Sequence, residues 1–428
     1  MGPKRHLGLH QAAKKKKLEG REREGNLQEE KPSNELRVEL NNDADGDNEI
    51  EQLKGLWKTY LFSEKENELI LNGIVNESDR LLRDSSNSEK ESPQMPEIFH
   101  SIYALALGEL ALFQGRKAEK VKEFFLAAFE RVQFGLDVSP KSPELLFAKA
   151  RLLIRQIPLQ YVAQLNEESS ISDETPDLSK NADYAFYVYD NAQKEAQEQG
   201  KMELFDVERF EILRSVEDLL QLIKTFGKIE EDTSSDEEDE SDDGEVELSP
   251  KHPLYLLRHS GKYYKWWKDN VVSFLKNLDA LLKKPHLDYT DEEKSEHELI
   301  SLRREICKEI GQAFLQEAEL PSSVYTTLAY DDDFKDTEEL EGLTQEESQK
   351  VSQELYTEAL VYLKQAQNKD DPQSWVSVAE ATISLGNLFP LESSEQEEHY
   401  QNAEKILVRA NNVTNGKYQT ILDTLQEK

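Results

Sequence analysis

A recurring spacing of small, large and small residues constrains the fold of this chain more than any other feature. The three residues stand at positions i, i+4 and i+7, which share one face of an α-helix. Alanine at the outer positions lets a neighbouring helix approach closely, and the large residue between them fills the groove. The pattern occurs at Ala359, Leu363 and Ala366, 44 residues later at Ala403, Leu407 and Ala410, earlier at Ala185, Tyr189 and Ala192, and more loosely at Val121, Phe125 and Ala128. These positions predict the second helix of repeated helical hairpins.

A second pattern marks the helices expected to pair with these. A large residue, a glycine and a further apolar residue recur at Leu107, Gly108 and Ala111, at Ile310, Gly311 and Phe314, and at Leu385, Gly386 and Phe389. Trp375, shortly after Pro372, stands where tetratricopeptide repeats have their tryptophan. Strand signals are nearly absent. The sequence therefore predicts an all-α, degenerate tetratricopeptide-like solenoid of about ten to fourteen helices, with an irregular helical bundle as the alternative.

Composition divides the chain into four segments. Residues 1–48 are polar, charged and without periodicity, which predicts a disordered basic tail. Helical repeats are predicted at 49–229 and 250–428, separated by an acidic disordered loop at 230–249. Residues 230–245 hold eleven carboxylates and no cation, and charges of one sign do not pack together at that density.

Two further predictions concern individual helices. The first helix is expected to bury one face formed by Leu53, Leu56, Trp57 and Tyr60, so Trp57 is predicted to be a core residue. Towards the other end of the chain, the acidic insertion 331–347 is predicted to separate a helix ending near Glu317 from one beginning near Ser348.

The tail carries two groups of basic residues separated by eight others: Lys4 and Arg5, then Lys14, Lys15, Lys16 and Lys17. This arrangement has the form of a bipartite nuclear import signal, an extended peptide that pairs with acidic pockets of an import receptor. A solubilising tail is the alternative. The single cysteine, Cys307, fits a reducing compartment, and no apolar stretch is long enough to cross a membrane. We therefore expect a nuclear protein that an import receptor binds.

The net charge of the chain limits the class of molecule that it can bind. The net charge is −35, and residues 1–23 contribute +6, because eight lysines and arginines stand against Glu19 and Glu22. Removing that +6 leaves −41 for the rest of the chain. Such a body repels phosphate backbones and attracts basic proteins. We expect a basic or mixed-charge protein partner and no direct binding of DNA.

The acidic loop contains two candidate phosphorylation sites. Ser234 has Glu237 three residues further on, and Ser235 has Glu238 at the same distance. An acidophilic kinase prefers this spacing, and a phosphate there would deepen an existing negative charge.

Candidate metal and catalytic motifs are weak. His286 and Asp288 have the spacing of the iron-binding pair of 2-oxoglutarate dioxygenases, but that site needs a third ligand, for which only His297 and His399 follow, and a β-fold to bring the ligands together. Asp43, Asp45 and Asp47 resemble a calcium loop, but Lys54 stands where a glutamate ligand is needed. No nucleophile elbow, phosphate loop or dinucleotide fingerprint occurs. The sequence predicts a chain that is not an enzyme and holds no metal or cofactor.

One segment combines aromatic and basic side chains. It runs from Gly261 to Lys268 and contains Lys262, Tyr263, Tyr264, Lys265, Trp266, Trp267 and Lys268. Such residues are favoured at interface hot spots, and aromatics between lysines also stack nucleic-acid bases. The alternative is an ordinary helix with two aromatics buried and the lysines in solvent. We take the segment as the candidate partner-binding site.

Several segments resemble the fungal enhancer of translation termination 1 family. They are Leu53-Lys54-Gly55-Leu56-Trp57, Leu71-Asn72-Gly73-Ile74-Val75, Asp79-Arg80-Leu81-Leu82-Arg83, the start Lys4-Arg5-His6-Leu7-Gly8-Leu9, the acidic mid-chain loop and the region of Trp375. The resemblance spans essentially the whole chain. A related fission-yeast member is a negative regulator of a prolyl-hydroxylase-like dioxygenase.

The resemblance implies a nuclear, tetratricopeptide-like adaptor that binds a 2-oxoglutarate- and Fe(II)-dependent prolyl hydroxylase. Such an adaptor affects translation termination and, in the fission-yeast relative, hypoxic gene expression. In that case any iron belongs to the partner. The alternative function is an RNA- or ribosome-contacting translation factor that uses residues 261–268.

Overall fold

The structure is a computed structural model that describes residues 48–63, 67–87, 94–115, 117–172, 175–227, 247–283 and 292–426. Over these residues the chain forms fourteen α-helices joined by short 3₁₀ and π turns. The helices are α1 Glu49–Phe62, α2 Glu68–Asn87, α3 Glu97–Leu110, α4 Ala118–Val138, α5 Pro143–Gln156, α6 Leu178–Glu198, α7 Val207–Lys224, α8 Tyr255–His259, α9 Lys262–Leu282, α10 Glu292–Tyr330, α11 Gln345–Ala366, α12 Pro372–Gly386, α13 Ser394–Val413 and α14 Gln419–Gln426.

Short polar side chains set the beginnings of many helices. Asn48 accepts from the amides of Ile50 and Glu51 at the start of α1. Asp177, Asp206 and Ser393 similarly cap α6, α7 and α13. Each cap satisfies an amide that has no partner within its helix.

Both repeat patterns lie where the sequence places them. The small–large–small residues lie on α4, α6, α11 and α13, and their side chains are buried. Each of these helices packs on the helix before it, which gives the pairs α3–α4, α5–α6, α10–α11 and α12–α13. The three glycines lie on α3, α10 and α12, which are the first helices of three of these pairs.

Gly311 shows why the two patterns occur together. A Cβ added to Gly311 would lie 2.7 Å from Cγ of Leu363, the large residue of the α11 pattern. The missing side chain on α10 therefore provides the space that Leu363 fills. The glycine lets the two helix backbones approach closely.

Buried side chains follow the array from helix to helix. One cluster spans α1 to α5 and contains Trp57 and Phe125, so Trp57 is a core residue as predicted. A second spans α5 to α10, and two more fill α10 to α14. Most helices pack on their neighbours in the chain. The prediction of an all-α helical-repeat solenoid is confirmed, and the tetratricopeptide-like detail stays a prediction.

The predicted helix end near Glu317 is wrong. Helix α10 continues through Pro321 to Tyr330. A proline inside a helix removes one backbone hydrogen bond, but Val324 and Tyr325, which follow it, are buried. Most helical stability in proteins comes from tertiary packing, and this packing extends the helix. The next helix, α11, begins at Gln345, three residues before the predicted start, because Thr344 and Glu347 form a reciprocal capping box.

The acidic insertion after α10 has a structure of its own. Residues Glu339–Leu340 form β1 and Leu343–Thr344 form β2, paired antiparallel. The turn residues Glu341 and Gly342 have φ angles of 52° and 76°, as a tight hairpin turn requires. This hairpin was not predicted from the sequence, because Glu-Gly is a weaker turn signal than Asn-Gly.

Arg258 of α8 fastens the helices on either side of the acidic segment 228–246. Its guanidinium donates to the carbonyl oxygens of Ile223 at 3.0 Å, Lys224 at 3.2 Å and Phe226 at 2.5 Å. A cation is favourable at the C-terminal end of a helix such as α7. Leu248 and Leu254, which follow the segment, pack in the same cluster as α5 to α7. The two predicted repeat segments therefore share one core.

Candidate partner-binding surface

The side chains of the aromatic and basic segment 261–268 point in three directions around α9: into the core, towards α10, and towards α6 or solvent. Tyr263 and Trp267 are one turn apart on α9 and are 1% and 2% exposed. The Trp267 indole N–H donates to the carbonyl oxygen of Leu213 on α7 at 3.0 Å. Both rings belong to the core, because they fill the space between α9 and its neighbours. The assignment of these two residues to a partner-binding site is therefore corrected.

Tyr264 and Lys268 face α10. The Tyr264 hydroxyl donates to the carbonyl oxygen of Ala313 at 3.4 Å, and burial raises the pKa of Tyr264 well above its usual range. The Lys268 ammonium bonds both carboxylate oxygens of Glu317, at 2.5 and 2.6 Å, and lies 4.7 Å from the ring centroid of Phe314. These two side chains hold α9 against α10.

Lys262, Lys265 and Trp266 face α6 or solvent. The Trp266 indole stacks on Phe186 with ring centroids 3.8 Å apart and planes 7° from parallel. Its N–H donates to the two carboxylate oxygens of Asp190, at 3.1 and 3.2 Å. Lys262 donates to Asp183 at 2.9 Å, which raises the pKa of the Lys262 ammonium. The Lys265 side chain is exposed.

Two exposed tyrosines on α6 extend this group. Tyr184 is 46% exposed and Tyr187 is 62% exposed, and the ammonium of Lys149 on α5 lies 5.8 Å from the Tyr184 ring centroid. Asp183, Tyr187 and Asp190 are spaced i, i+4 and i+7, so Tyr187 stands between the two carboxylates that hold α9. Neither tyrosine was predicted from the sequence to be part of the site. The available signal was two aromatic residues on an otherwise charged stripe of an amphipathic helix.

We call this surface the α6–α9 face. Its aromatic residues are Tyr184, Tyr187 and Trp266. Its charged residues are the lysines Lys149, Lys180, Lys194, Lys262, Lys265 and Lys276 and the acids Asp177, Asp183, Asp190, Glu198 and Asp269. Beneath it, Gln193 donates to Ser273 at 3.0 Å and Gln197 donates to Asn277 at 2.9 Å. These side-chain bonds fix the spacing of α6 and α9, so the face is preformed.

A second group of polar residues is buried between α1, α3, α5 and α7. Glu109 accepts from Arg151 at 2.8 Å and from Arg155 at 3.2 Å, while Arg209 bonds Glu144, Asp206 and Glu208. Burial raises the pKa of Asp206 to about 6. The cavity beside Arg151 and Arg209 has a volume of about 10 Å³, the size of one water molecule. This group links helices and is too tightly packed to bind a substrate.

The remaining candidate residues fall into two sets. The basic residues from Lys4 to Lys17, the calcium-like motif at Asp43, Ser234, Ser235 and the motif at His286 lie outside the described residues. Within the described part of the chain, no three His, Cys, Asp or Glu side chains are arranged to hold a metal. Cys307 is fully buried, and burial raises its pKa to about 11. No described helix combines the length and apolar character that a membrane span requires.

Comparison with known proteins identifies the family. The family model described as "Nuclear pore complex subunit Nro1" matches residues 1–426. The chain belongs to the Nro1 family. Relatives named "Enhancer of translation termination 1" include that of Debaryomyces hansenii, 50% identical over the full length of both chains. The relative from Scheffersomyces stipitis is 50% identical over 99% of both chains, and that from Candida albicans is 48% identical over 93% of this chain and 92% of its own. The family resemblance inferred from the sequence is confirmed.

Proposed function

We propose that this member of the Nro1 family is a non-catalytic nuclear adaptor that promotes accurate translation termination by binding a 2-oxoglutarate- and Fe(II)-dependent prolyl hydroxylase. The observation that carries the proposal is its 50% identity, over full length, to proteins named Enhancer of translation termination 1. The same pairing is proposed to act on hypoxic gene expression. The adaptor holds the enzyme, and the enzyme supplies the iron.

The architecture supports a binding role. Helical-repeat arrays present extended surfaces to protein partners, and the α6–α9 face exposes Tyr184 and Tyr187 beside a Trp266 ring held by stacking and hydrogen bonds. Aromatic side chains of this kind dominate the binding energy of protein interfaces. The face therefore gives the proposed adaptor a preformed place to hold a partner.

The proposed nuclear location rests on the two basic groups of the tail and on the description of the family as a nuclear pore complex subunit. Replacing Lys14 to Lys17 by alanine in a fluorescently tagged full chain should move the fluorescence from the nucleus to the cytoplasm. The matched control replaces Lys350 and Lys364 on α11 by alanine. Unchanged nuclear fluorescence in the tail variant would contradict the import signal.

Affinity purification of the full chain from nuclear extract, followed by mass spectrometry, tests the proposed partner. We expect a 2-oxoglutarate-dependent hydroxylase to be enriched over a tag-only control. Titration of that purified enzyme with the purified chain should then give saturable binding. Enrichment of ribosomes or RNA without any such hydroxylase would contradict the proposal.

The exposed Lys265 and the half-buried Trp266 favour the alternative, a factor that contacts RNA. Two observations weigh against this alternative. Tyr263 and Trp267 are buried, and one face of Trp266 is covered by Phe186, so these faces are not open for stacking on bases. Titration of the full chain with single-stranded RNA at low and physiological salt distinguishes the two functions. Absence of binding at low salt, where phosphate contacts are strongest, eliminates this alternative.

A further inference from the structure

We infer that the α6–α9 face binds an acidic peptide segment of a partner protein, one that also carries an apolar or aromatic side chain. The inference rests on the proposed adaptor function and assigns a place and a chemistry to the contact. It follows from three properties of the face: exposed tyrosines beside a fixed indole, local positive charge and an acidic surrounding body.

The aromatic residues of the face combine a ring fixed by its contacts with an exposed ring. Trp266 is fixed by Phe186 on one side and by Asp190 at its N–H. Tyr187 directly follows Phe186 in α6, lies one turn before Asp190 and is 62% exposed. A rigid ring loses little conformational entropy on binding. The fixed Trp266 ring and the exposed Tyr187 beside it together provide an anchor for an apolar or aromatic side chain of the peptide.

The charge of the face differs from that of the chain. The face has six lysines and five carboxylates, a net charge of +1, whereas the whole chain has −35. Lys265 and Lys276 are exposed on one stripe of α9, and neither forms an ion pair with any described residue. A partner segment must avoid the acidic body and pair with these lysines. Electrostatic complementarity therefore selects an acidic segment of limited length.

A peptide fits this face better than a nucleic acid does. The repeating phosphates of RNA extend beyond a small cationic patch and meet the acidic body. Asp183 and Asp190 lie within the face itself, where they would repel a continuous phosphate backbone. A peptide can instead place its carboxylates at Lys265 and Lys276 and neutral side chains beside the two aspartates.

Photo-crosslinking in the full chain tests the inference. The probe is p-benzoyl-phenylalanine introduced at position 187 in place of Tyr187, and the matched control carries it in place of Val361, an exposed apolar residue of α11. After irradiation in nuclear extract, the crosslinked peptides are sequenced. We expect position 187, and not position 361, to capture a segment with net negative charge and at least one apolar or aromatic residue.

A synthetic copy of the captured segment is then titrated against the full chain by fluorescence anisotropy. Lys265→Glu should weaken binding about tenfold, because it replaces an attraction by a repulsion, whereas Lys350→Glu on α11 should change it less than about twofold. A neutral or basic captured segment, a crosslink to RNA, a crosslink to residues 228–246 of this chain, or no crosslink above the control would each overturn the inference. Equal affinity of the Lys265→Glu variant would do the same.

The experiment separates this inference from the proposed function. Capture of an acidic segment from a protein other than a hydroxylase supports the face and contradicts the hydroxylase assignment. Enrichment of a hydroxylase on the full chain without any crosslink at position 187 supports the adaptor and overturns the assignment of the face.

Discussion

Replacing Trp57 tests how the first helical hairpin is attached to the array. The buried indole, 3% exposed, stacks on Tyr60 with 5.6 Å between ring centroids. It lies 5.7 Å from the guanidinium carbon of Arg151, and its N–H donates to Glu208 at 2.9 Å. One side chain of α1 therefore contacts the buried ionic group of α5 and α7.

Trp57→Ala is expected to lower the free energy of unfolding through two contributions. Removal of a buried tryptophan ring costs about 3–5 kcal/mol. The lost hydrogen bond adds about 1 kcal/mol and no more, because Glu208 still accepts from Arg209 at 2.8 Å. Trp57→Phe keeps most of the ring and loses the N–H, so we expect it to cost about 1–2 kcal/mol.

Urea unfolding of the full chain, followed by circular dichroism, measures both costs. Repeat arrays lose structure segment by segment, so hydrogen exchange should show the loss of protection in α1 and α2 first and leave α13 unchanged. A Trp57→Ala variant within about 1 kcal/mol of the parent would refute the reasoning. Equal loss of protection in α13 would refute the local attachment.

Three further predictions concern packing, the buried ion pair and pH. Gly311→Ala places a methyl group 2.7 Å from Cγ of Leu363 and should destabilise the chain by about 1–3 kcal/mol in urea unfolding. Gly73→Ala, which meets no atom within 4 Å, should be neutral or stabilising, and equal effects would contradict the proposed fit. Glu109→Gln leaves the Arg151 charge buried without its carboxylate and should lower the free energy of unfolding by about 3–5 kcal/mol. Adding Arg151→Met should recover part of that loss. A double variant no more stable than Glu109→Gln alone would argue against the pair. Burial raises the pKa of Glu309 to about 7, so between its unfolded pKa and pH 7 the folded chain binds a proton that the unfolded chain has released. Stability should therefore fall as the pH rises through this window, by at most about 3 kcal/mol, and a Glu309→Gln variant with the same pH dependence would contradict this assignment.

Local spacing predicted the features of the fold that depend on single helices. The alanines around Leu363 and Leu407 and the burial of Trp57 follow from helical periodicity alone, because residues three and four apart share a face. The end of α10 did not follow, since the packing of Val324 and Tyr325 outweighs the local preference of Pro321. Local preferences are weak compared with tertiary packing.

Features that join distant residues could not be predicted from spacing. Arg151 and Glu109 are 42 positions apart, and the sequence gives no register that brings them together. The candidate site was predicted in part: α9 was identified, but Tyr263 and Trp267 face the core, and only Lys262, Lys265 and Trp266 lie on the α6–α9 face. Tyr187 becomes part of the site only because α6 packs beside α9.

The Arg258 clamp on the end of α7 has a practical consequence for engineering the chain. Because Arg258 ties the carbonyl oxygens of Ile223, Lys224 and Phe226 to α8, the ends flanking residues 228–246 are set by side chains outside that segment. The entropic cost of lengthening a closed loop rises only logarithmically with its length. A reporter domain inserted between Asp236 and Glu240 should therefore leave the helical array intact, which makes this segment an internal tagging site that spares both termini.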